Sequence, residues 1–245
     1  DITKFDAEEA SGIAIDKAVM SREARAIEPG RYTVILEPAA VSDLLGRFGG
    51  AFNARTADEG RSFMSKEGGG TKLGEKIVDE RVNVWSDPLH PDVPASTWSG
   101  DGLPRKKTQW IENGVVKNLA YDRYWATQQG VDPVPFPANM IMEGGDTSFD
   151  EMIKSTKRGI LVTRFWYIRS VDPQTLLFTG LTRDGTFYIE NGQIKYPVKN
   201  FRFNESPIIM LNNLEALGKQ VRVNGNLLPY MKVRDFTFTS LSDAV

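Results

Sequence analysis

Two heptapeptides, Ile111-Glu112-Asn113-Gly114-Val115-Val116-Lys117 and Ile189-Glu190-Asn191-Gly192-Gln193-Ile194-Lys195, share the pattern Ile-Glu-Asn-Gly-x-x-Lys. Asn-Gly is the strongest two-residue hairpin signal, because both of its positions tolerate a positive φ. Apolar residues typical of strands flank the dipeptide in both copies. The sequence therefore predicts two β-hairpins, with Gly114 and Gly192 at positive φ.

Further strands are predicted on either side of these hairpins, in segments rich in β-branched and aromatic residues. They cover residues 32–36, 81–85, 159–168, 196–203 and 231–239. Helices are predicted from Asp6, from Pro38 through Phe48, and over 208–217 before Gly218, with Ser148 and Glu151 forming a capping box for a short one. Residues 53–70 are expected to form a polar loop. These elements predict an α+β fold with mostly antiparallel strands and hairpins in the second half.

The composition excludes several kinds of chemistry. The 245 residues include no cysteine and a single histidine, His90, so disulfides, iron–sulfur clusters and thiolate nucleophiles are excluded within this chain. The chain has 30 Lys and Arg residues and 32 Asp and Glu residues. This near-neutral net charge creates no positive potential that would attract nucleic acid or an anionic membrane. No apolar run is long enough to span a bilayer. The chain is expected to be soluble and cytoplasmic.

Three candidate catalytic or ligand-binding motifs do not meet the requirements of their chemistry. His90 lies between Asp87 and Asp92 in a proline-bracketed loop, whereas a catalytic zinc requires three protein ligands on rigid elements, so a surface loop histidine is the favoured interpretation. Gly68-Gly69-Gly70-Thr71-Lys72 lacks the spacing of a phosphate-binding loop, and no Gly-x-Ser-x-Gly nucleophile turn occurs. No catalytic residue, metal ligand or cofactor is predicted.

A more suggestive segment is Arg164-Phe165-Trp166-Tyr167-Ile168-Arg169. Arginine interleaved with aromatic residues favours a ligand platform or an interface hot spot. A core strand whose alternate residues face solvent explains the pattern equally well. Arg164, Trp166 and Arg169 are the predicted contacts for a peptide or partner.

An ordered series of motifs resembles a known family. It comprises Glu28-Pro29-Gly30-Arg31-Tyr32, Asp58-Glu59-Gly60-Arg61-Ser62, Gly70-Thr71-Lys72-Leu73-Gly74, both Ile-Glu-Asn-Gly hairpins, Gly159-Ile160-Leu161-Val162-Thr163-Arg164, and Lys232-Val233-Arg234-Asp235-Phe236. From about Asp6 to its end the chain resembles the carboxy-terminal part of the TldD/PmbA family, described as a "putative modulator of DNA gyrase" and as a zinc-dependent peptidase.

The resemblance implies a carboxy-terminal domain over residues 1–245, preceded in the family by an amino-terminal α/β domain that this chain lacks. It also implies subunits that pair as homodimers or as heterodimers with a related TldD-like subunit, and a peptide substrate. The proteolytic branch carries His-Glu-x-x-x-His on the helix after the Glu-Pro-Gly strand and a cysteine near the carboxy terminus. Here residues 40–52, which include Gly46, Arg47 and Gly50, hold no histidine.

This departure points to the non-catalytic branch of the family. The expected role is a partner or scaffold subunit of a peptide-processing complex, with no direct contact to nucleic acid or membrane. The alternative is a zinc-dependent metallopeptidase with an atypical site built from His90 and carboxylates.

Overall fold

The computed structural model describes residues 5–241, which contain six helices and eleven strands. The helices are α1 (Ala7–Met20), α2 (Pro38–Gly50), α3 (Ala54–Asp58), α4 (Arg123–Gln129), α5 (Phe149–Lys154) and α6 (Pro207–Asn212). The strands are β1 (Gly30–Leu36), β2 (Val84–Ser86), β3 (Thr108–Glu112), β4 (Val115–Val116), β5 (Ile141–Met142), β6 (Arg158–Asp172), β7 (Leu177–Glu190), β8 (Gln193–Pro197), β9 (Phe201–Glu205), β10 (Leu214–Val223) and β11 (Asn226–Leu241).

Five of the strands form a closed ring. β1 pairs with both β6 and β11, and the order β6-β7-β9-β11 completes the ring. Only the β1–β6 and β5–β11 pairings among the described strands are parallel. The predicted α+β class with mostly antiparallel strands is thus confirmed, and closure leaves β1 without an open edge.

Aromatic side chains fill the interior of this ring. Phe165 lies 4.6 Å from Phe203 and 5.5 Å from Phe236 between ring centroids, and Phe201 and Phe238 stack at 4.8 Å. Each of these five rings is at most 2% exposed. Because buried aromatic rings supply much of the apolar area removed from water, this cluster anchors the sheet.

Helix α2 packs on the ring through an almost continuous apolar face. Pro38 occupies its first turn, and Val41, Leu44, Leu45 and Phe48 are fully buried. The helix begins where β1 ends, so the Glu-Pro junction directs it back across β6 and β11. The predicted helix from Pro38 is confirmed, and its remaining face looks outward.

Local signals identified the two hairpins and several helix starts correctly. Asn113-Gly114 and Asn191-Gly192 both have positive φ at the turns that join β3 to β4 and β7 to β8. Asp6 caps α1, and Ser148 and Glu151 form the capping box of α5.

Three boundary predictions were wrong. Residues 208–217 are not one helix: α6 ends at Asn212, and Leu214 begins β10, which pairs with β11. The strand predicted over 196–203 is interrupted between β8 and β9. The loop predicted over 53–70 contains α3, whose first turn is capped by the Asn53 side chain.

Within residues 5–241 no helix has the length and apolar character required to cross a bilayer.

Candidate functional site

The predicted contact segment lies on β6, where Phe165 points into the core and the next two side chains point out. Phe165 is 1% exposed, whereas Trp166 is 41% and Tyr167 54% exposed. Consecutive outward side chains require a break in strand alternation. The register with β7 shifts between Trp166 and Arg169, and Tyr167 has φ +53°. Such a φ is strained for a bulky residue and is typical of functional surfaces.

Arginines cover both exposed rings. The Arg169 guanidinium lies 4.6 Å from the centroid of Tyr167, and the Arg183 guanidinium lies 4.4 Å from that of Trp166. Arg164, opposite Arg183 in the register, instead pairs with Asp184 at 3.4 Å. We call these residues the cation–aromatic platform: Arg164, Trp166, Tyr167, Arg169 and Arg183. The structure thus brings the three predicted contacts together and adds Arg183, which belongs to a different strand.

Asp43 of α2 supports the platform from behind. Its Oδ2 accepts a hydrogen bond from the Phe165 backbone N–H at 2.9 Å. Burial raises the pKa of Asp43 above its ordinary value, although the Phe165 N–H and the charges of Arg164 and Arg47 act in the opposite direction. The carboxyl therefore binds a proton more readily in the folded chain than in the unfolded one.

Asp43→Asn is expected to preserve stability at pH 7, or to raise it by less than about 1 kcal/mol, since solvent screens a half-buried charge. The amide oxygen still accepts from Phe165, and the cost of burying the carboxylate disappears. Because the folded-state pKa is raised, the wild-type penalty vanishes below the unfolded value of 3.8. Urea unfolding should show any advantage of the variant at pH 7 vanishing near pH 3. A clear loss of stability at pH 7 would show instead that pairing with the arginines dominates.

The outward face of α2 borders a small pocket of about 240 Å³. Gly46, Gly49 and Gly50 form its helical side. The opposite side consists of Phe136, Pro137, Ala138, Asn139, Met140 and Asn226. No imidazole, carboxylate or thiolate is among these residues. The helix itself carries a single carboxylate, Asp43, which is engaged with Phe165.

Both amides of this pocket are already bonded. Asn139 donates to the carbonyls of Asp87 and Val93, each at 2.7 Å, and accepts from the Asp87 N–H at 2.9 Å. Asn226 accepts from the Met140 N–H at 2.8 Å. Zinc requires thiolate, imidazole or carboxylate ligands, so this donor set does not fit the metal that the family resemblance implies.

His90 does not assemble an alternative metal centre. Its Nδ1 accepts a hydrogen bond from the Asp92 N–H at 3.3 Å, and the backbone N–H of His90 donates to the Asp87 carbonyl at 3.2 Å. Throughout the described part of the chain, no group of three His, Cys, Asp or Glu side chains is placed to hold a metal ion.

Known proteins match this chain over nearly its whole length. The family described as PmbA/TldA metallopeptidase C-terminal domain matches residues 29–240. A metalloprotease of Methanothermobacter thermautotrophicus is 28% identical over 244 residues, covering 91% of this chain and 50% of the relative. A zinc metalloprotease TldD homolog of Saccharolobus solfataricus is 25% identical and covers 78% of this chain and 44% of the relative. The chain thus spans about half the length of these relatives.

Solved structures show the same fold. A "putative modulator of DNA gyrase" from Bacteroides thetaiotaomicron superposes with a TM-score of 0.82 at 27% identity, covering 94% of this chain and 52% of that one. TldE from Thermococcus kodakarensis gives 0.81 at 22% identity, with 97% and 56% covered. Because the family model covers residues 29–240, the chain belongs to the PmbA/TldD family, and the matched residues correspond to its carboxy-terminal domain.

Proposed function

We propose that this chain acts as a non-catalytic partner or scaffold subunit of a cytoplasmic peptide-processing complex. The observation that carries the proposal is the donor set around α2. Metal-activated water requires fixed ligands and a vacant position that lowers the pKa of the bound water. Around α2, glycines, apolar side chains and two engaged amides offer no such ligands.

The comparisons support pairing with another subunit. Relatives bear metalloprotease names, and the fold matches that of TldE. We propose that the chain forms a homodimer or joins a TldD-like subunit that carries the catalytic ligands. The cation–aromatic platform provides the contact, because exposed Trp, Tyr and Arg are enriched among interface hot spots.

A peptide could be presented along an open strand edge of this subunit. Within residues 5–241, β8 pairs with no strand other than β7, and on its other side the Arg25 N–H donates to the Pro197 carbonyl, so residues 193–196 form the open edge. An extended peptide adds to such an edge through main-chain hydrogen bonds. Solved relatives are named as modulators of DNA gyrase, but we do not propose direct DNA contact for this chain, because its formal net charge of −2 does not attract a polyanion.

The test is hydrolysis of casein and a short-peptide panel with added zinc, with and without a chelator, together with metal analysis of protein purified without chelators. We expect no chelator-sensitive turnover and substoichiometric zinc. A parallel sample also contains a family member that carries His-Glu-x-x-x-His. We expect the two chains to co-elute. Chelator-sensitive turnover by this chain alone would overturn the proposal. If His90→Ala then abolished that turnover, the atypical metallopeptidase would replace it.

A further inference from the structure

A cavity of about 580 Å³ lies where α5 meets β6, away from the pocket of α2. Its volume is within the range of small-molecule sites. The turn between β7 and β8 and neighbouring residues of β1, β10 and β11 complete its walls. Every residue that lines it carries a hydroxyl, an amide or a charged group, so the cavity favours a polar ligand. We call it the α5 cavity.

A buried lysine fixes one wall of the α5 cavity. Lys232 is only 7% exposed. Its Nζ donates to the carbonyl oxygen and to the Oγ of Ser155, at 3.2 and 3.1 Å, and lies 3.5 Å from Oε2 of Glu215. Because these partners satisfy the ammonium and balance its charge, Lys232 shapes the wall but is already occupied. The charges that a ligand could meet therefore belong to the rim.

The rim carries a glutamate that its cross-strand neighbour leaves unpaired. Glu190 lies opposite Arg158 in the β6–β7 register, where opposite charges ordinarily pair. The Arg158 guanidinium instead lies 4.7 Å from the centroid of the Tyr32 ring and donates to the Tyr32 hydroxyl at 3.1 Å. Within residues 5–241, Glu190 forms no ion pair.

The other copy of the Ile-Glu-Asn-Gly-x-x-Lys motif shows what Glu190 lacks. In that copy the glutamate and the lysine of the motif form an ion pair, with Lys117 Nζ 3.0 Å from Glu112 Oε2. In the copy at the cavity, Lys195 Nζ instead donates to Gln193 Oε1 at 2.7 Å. The Glu190 carboxylate thus stays available, although both the strand register and the motif offer it a cation.

Two cations on the same rim are also without a carboxylate. Lys157 and Arg158 line the cavity and are exposed. Neither has an acidic side chain within ion-pair distance in the part of the chain that the structure describes. Arg158 is held in place by tyrosine hydroxyls, which do not neutralise its charge. Unpaired charges of both signs therefore border one polar cavity.

From this arrangement we infer that the α5 cavity binds a small zwitterion with a free ammonium and a free carboxylate, as in an amino acid or a short peptide. The ammonium would lie at Glu190, and the carboxylate at Lys157 and Arg158. Charge-assisted hydrogen bonds of this kind are stronger than those between neutral groups. The site is independent of the proposed subunit role, which depends on α2.

The test is an NMR titration of the isotope-labelled whole chain with alanine and, separately, with dialanine, which distinguishes the two sources. We expect at least one of them to shift the amide signals of Asn191 and Gly192 at the cavity. The signals of Asn113 and Gly114, at the same motif positions in the other hairpin, should stay unshifted. The acetylated form of the bound compound lacks the ammonium and its amidated form lacks the carboxylate, so each should bind at least about threefold more weakly.

A pair of substitutions in the two hairpins locates the site. Glu190→Gln should weaken binding at least about threefold and should remove the preference for the free ammonium over its acetylated form. Glu112→Gln makes the same change of charge in the other hairpin and should leave binding unchanged. The inference would be overturned if neither compound shifted Asn191 and Gly192. It would also be overturned if the acetylated or amidated form bound as well as the free one, or if Glu190→Gln had no effect.

Discussion

Replacing Gly114 with alanine is expected to lower the free energy of unfolding by about 2–4 kcal/mol. Part of this loss is the left-handed strain of a side chain at φ +77°. The larger part is steric, because the new Cβ would lie 2.2 Å from the Val78 carbonyl oxygen and 2.8 Å from that of Asp79. Both contacts are with backbone atoms, which cannot move aside as a flexible side chain can. Urea unfolding at pH 7 measures the loss.

Gly225→Ala provides a matched control. Gly225 has almost the same φ, +75°, at the turn that joins β10 to β11, but a Cβ there would meet no heavy atom within 4 Å. Its substitution should therefore cost only the conformational strain, about 1 kcal/mol. Equal losses in the two variants would show that the loop over the β3–β4 hairpin moves away without penalty.

The hairpins could be predicted because their information is local. An Asn-Gly dipeptide between apolar strands specifies a turn from a few residues, and Asp6 and Ser148 likewise mark helix starts by satisfying nearby backbone N–H groups. What the dipeptide does not specify is its surroundings. The close approach of Val78 and Asp79 to Gly114 comes from a distant part of the chain, so the size of the expected loss emerges only from the structure.

The helix predicted over 208–217 was wrong because part of this segment is held by a pairing with another strand, and not by its own local pattern. Ile208 and Leu211 suit a helix, and α6 does begin as expected, but Leu214 onward pairs with β11. The Asn-Gly at 224–225 was the available signal for this β10–β11 hairpin, and it was overlooked. Ring closure between β1 and β11 joins residues some 200 positions apart, and no local pattern encodes such a pairing.

Only the part of the candidate contact surface that lies on β6 was predicted from the sequence. Arg164, Trp166 and Arg169 were recognisable from arginine interleaved with aromatics. Arg183 was missed because it reaches Trp166 from β7, and the outward turn of Tyr167 depends on a bulge in the strand register.

Phe165 and Trp166 are neighbours on β6 and should respond to alanine in opposite ways. Phe165 is buried between Phe203 and Phe236, so Phe165→Ala should lower the free energy of unfolding by about 4 kcal/mol through lost burial and a residual cavity. Trp166 is 41% exposed, and Trp166→Ala should change stability by about 1 kcal/mol or less. Urea unfolding of both variants tests this contrast. Similar losses would mean that Trp166 contributes to the core rather than to a contact surface.

Trp166→Ala, which should have the smaller effect on stability, should have the larger effect on self-association. If the cation–aromatic platform is the subunit contact, Trp166→Ala removes the ring that Arg183 covers and should shift the chain toward monomer in light scattering at high micromolar concentration. Trp98→Ala is the matched control, because Trp98 is 59% exposed and lies outside the platform. A wild-type chain that is strictly monomeric, or a Trp166→Ala variant that associates like the wild type, would contradict the assignment. The bulge at Tyr167 explains why neighbouring residues can divide these roles: it ends the alternation that would otherwise return one side of β6 to the core.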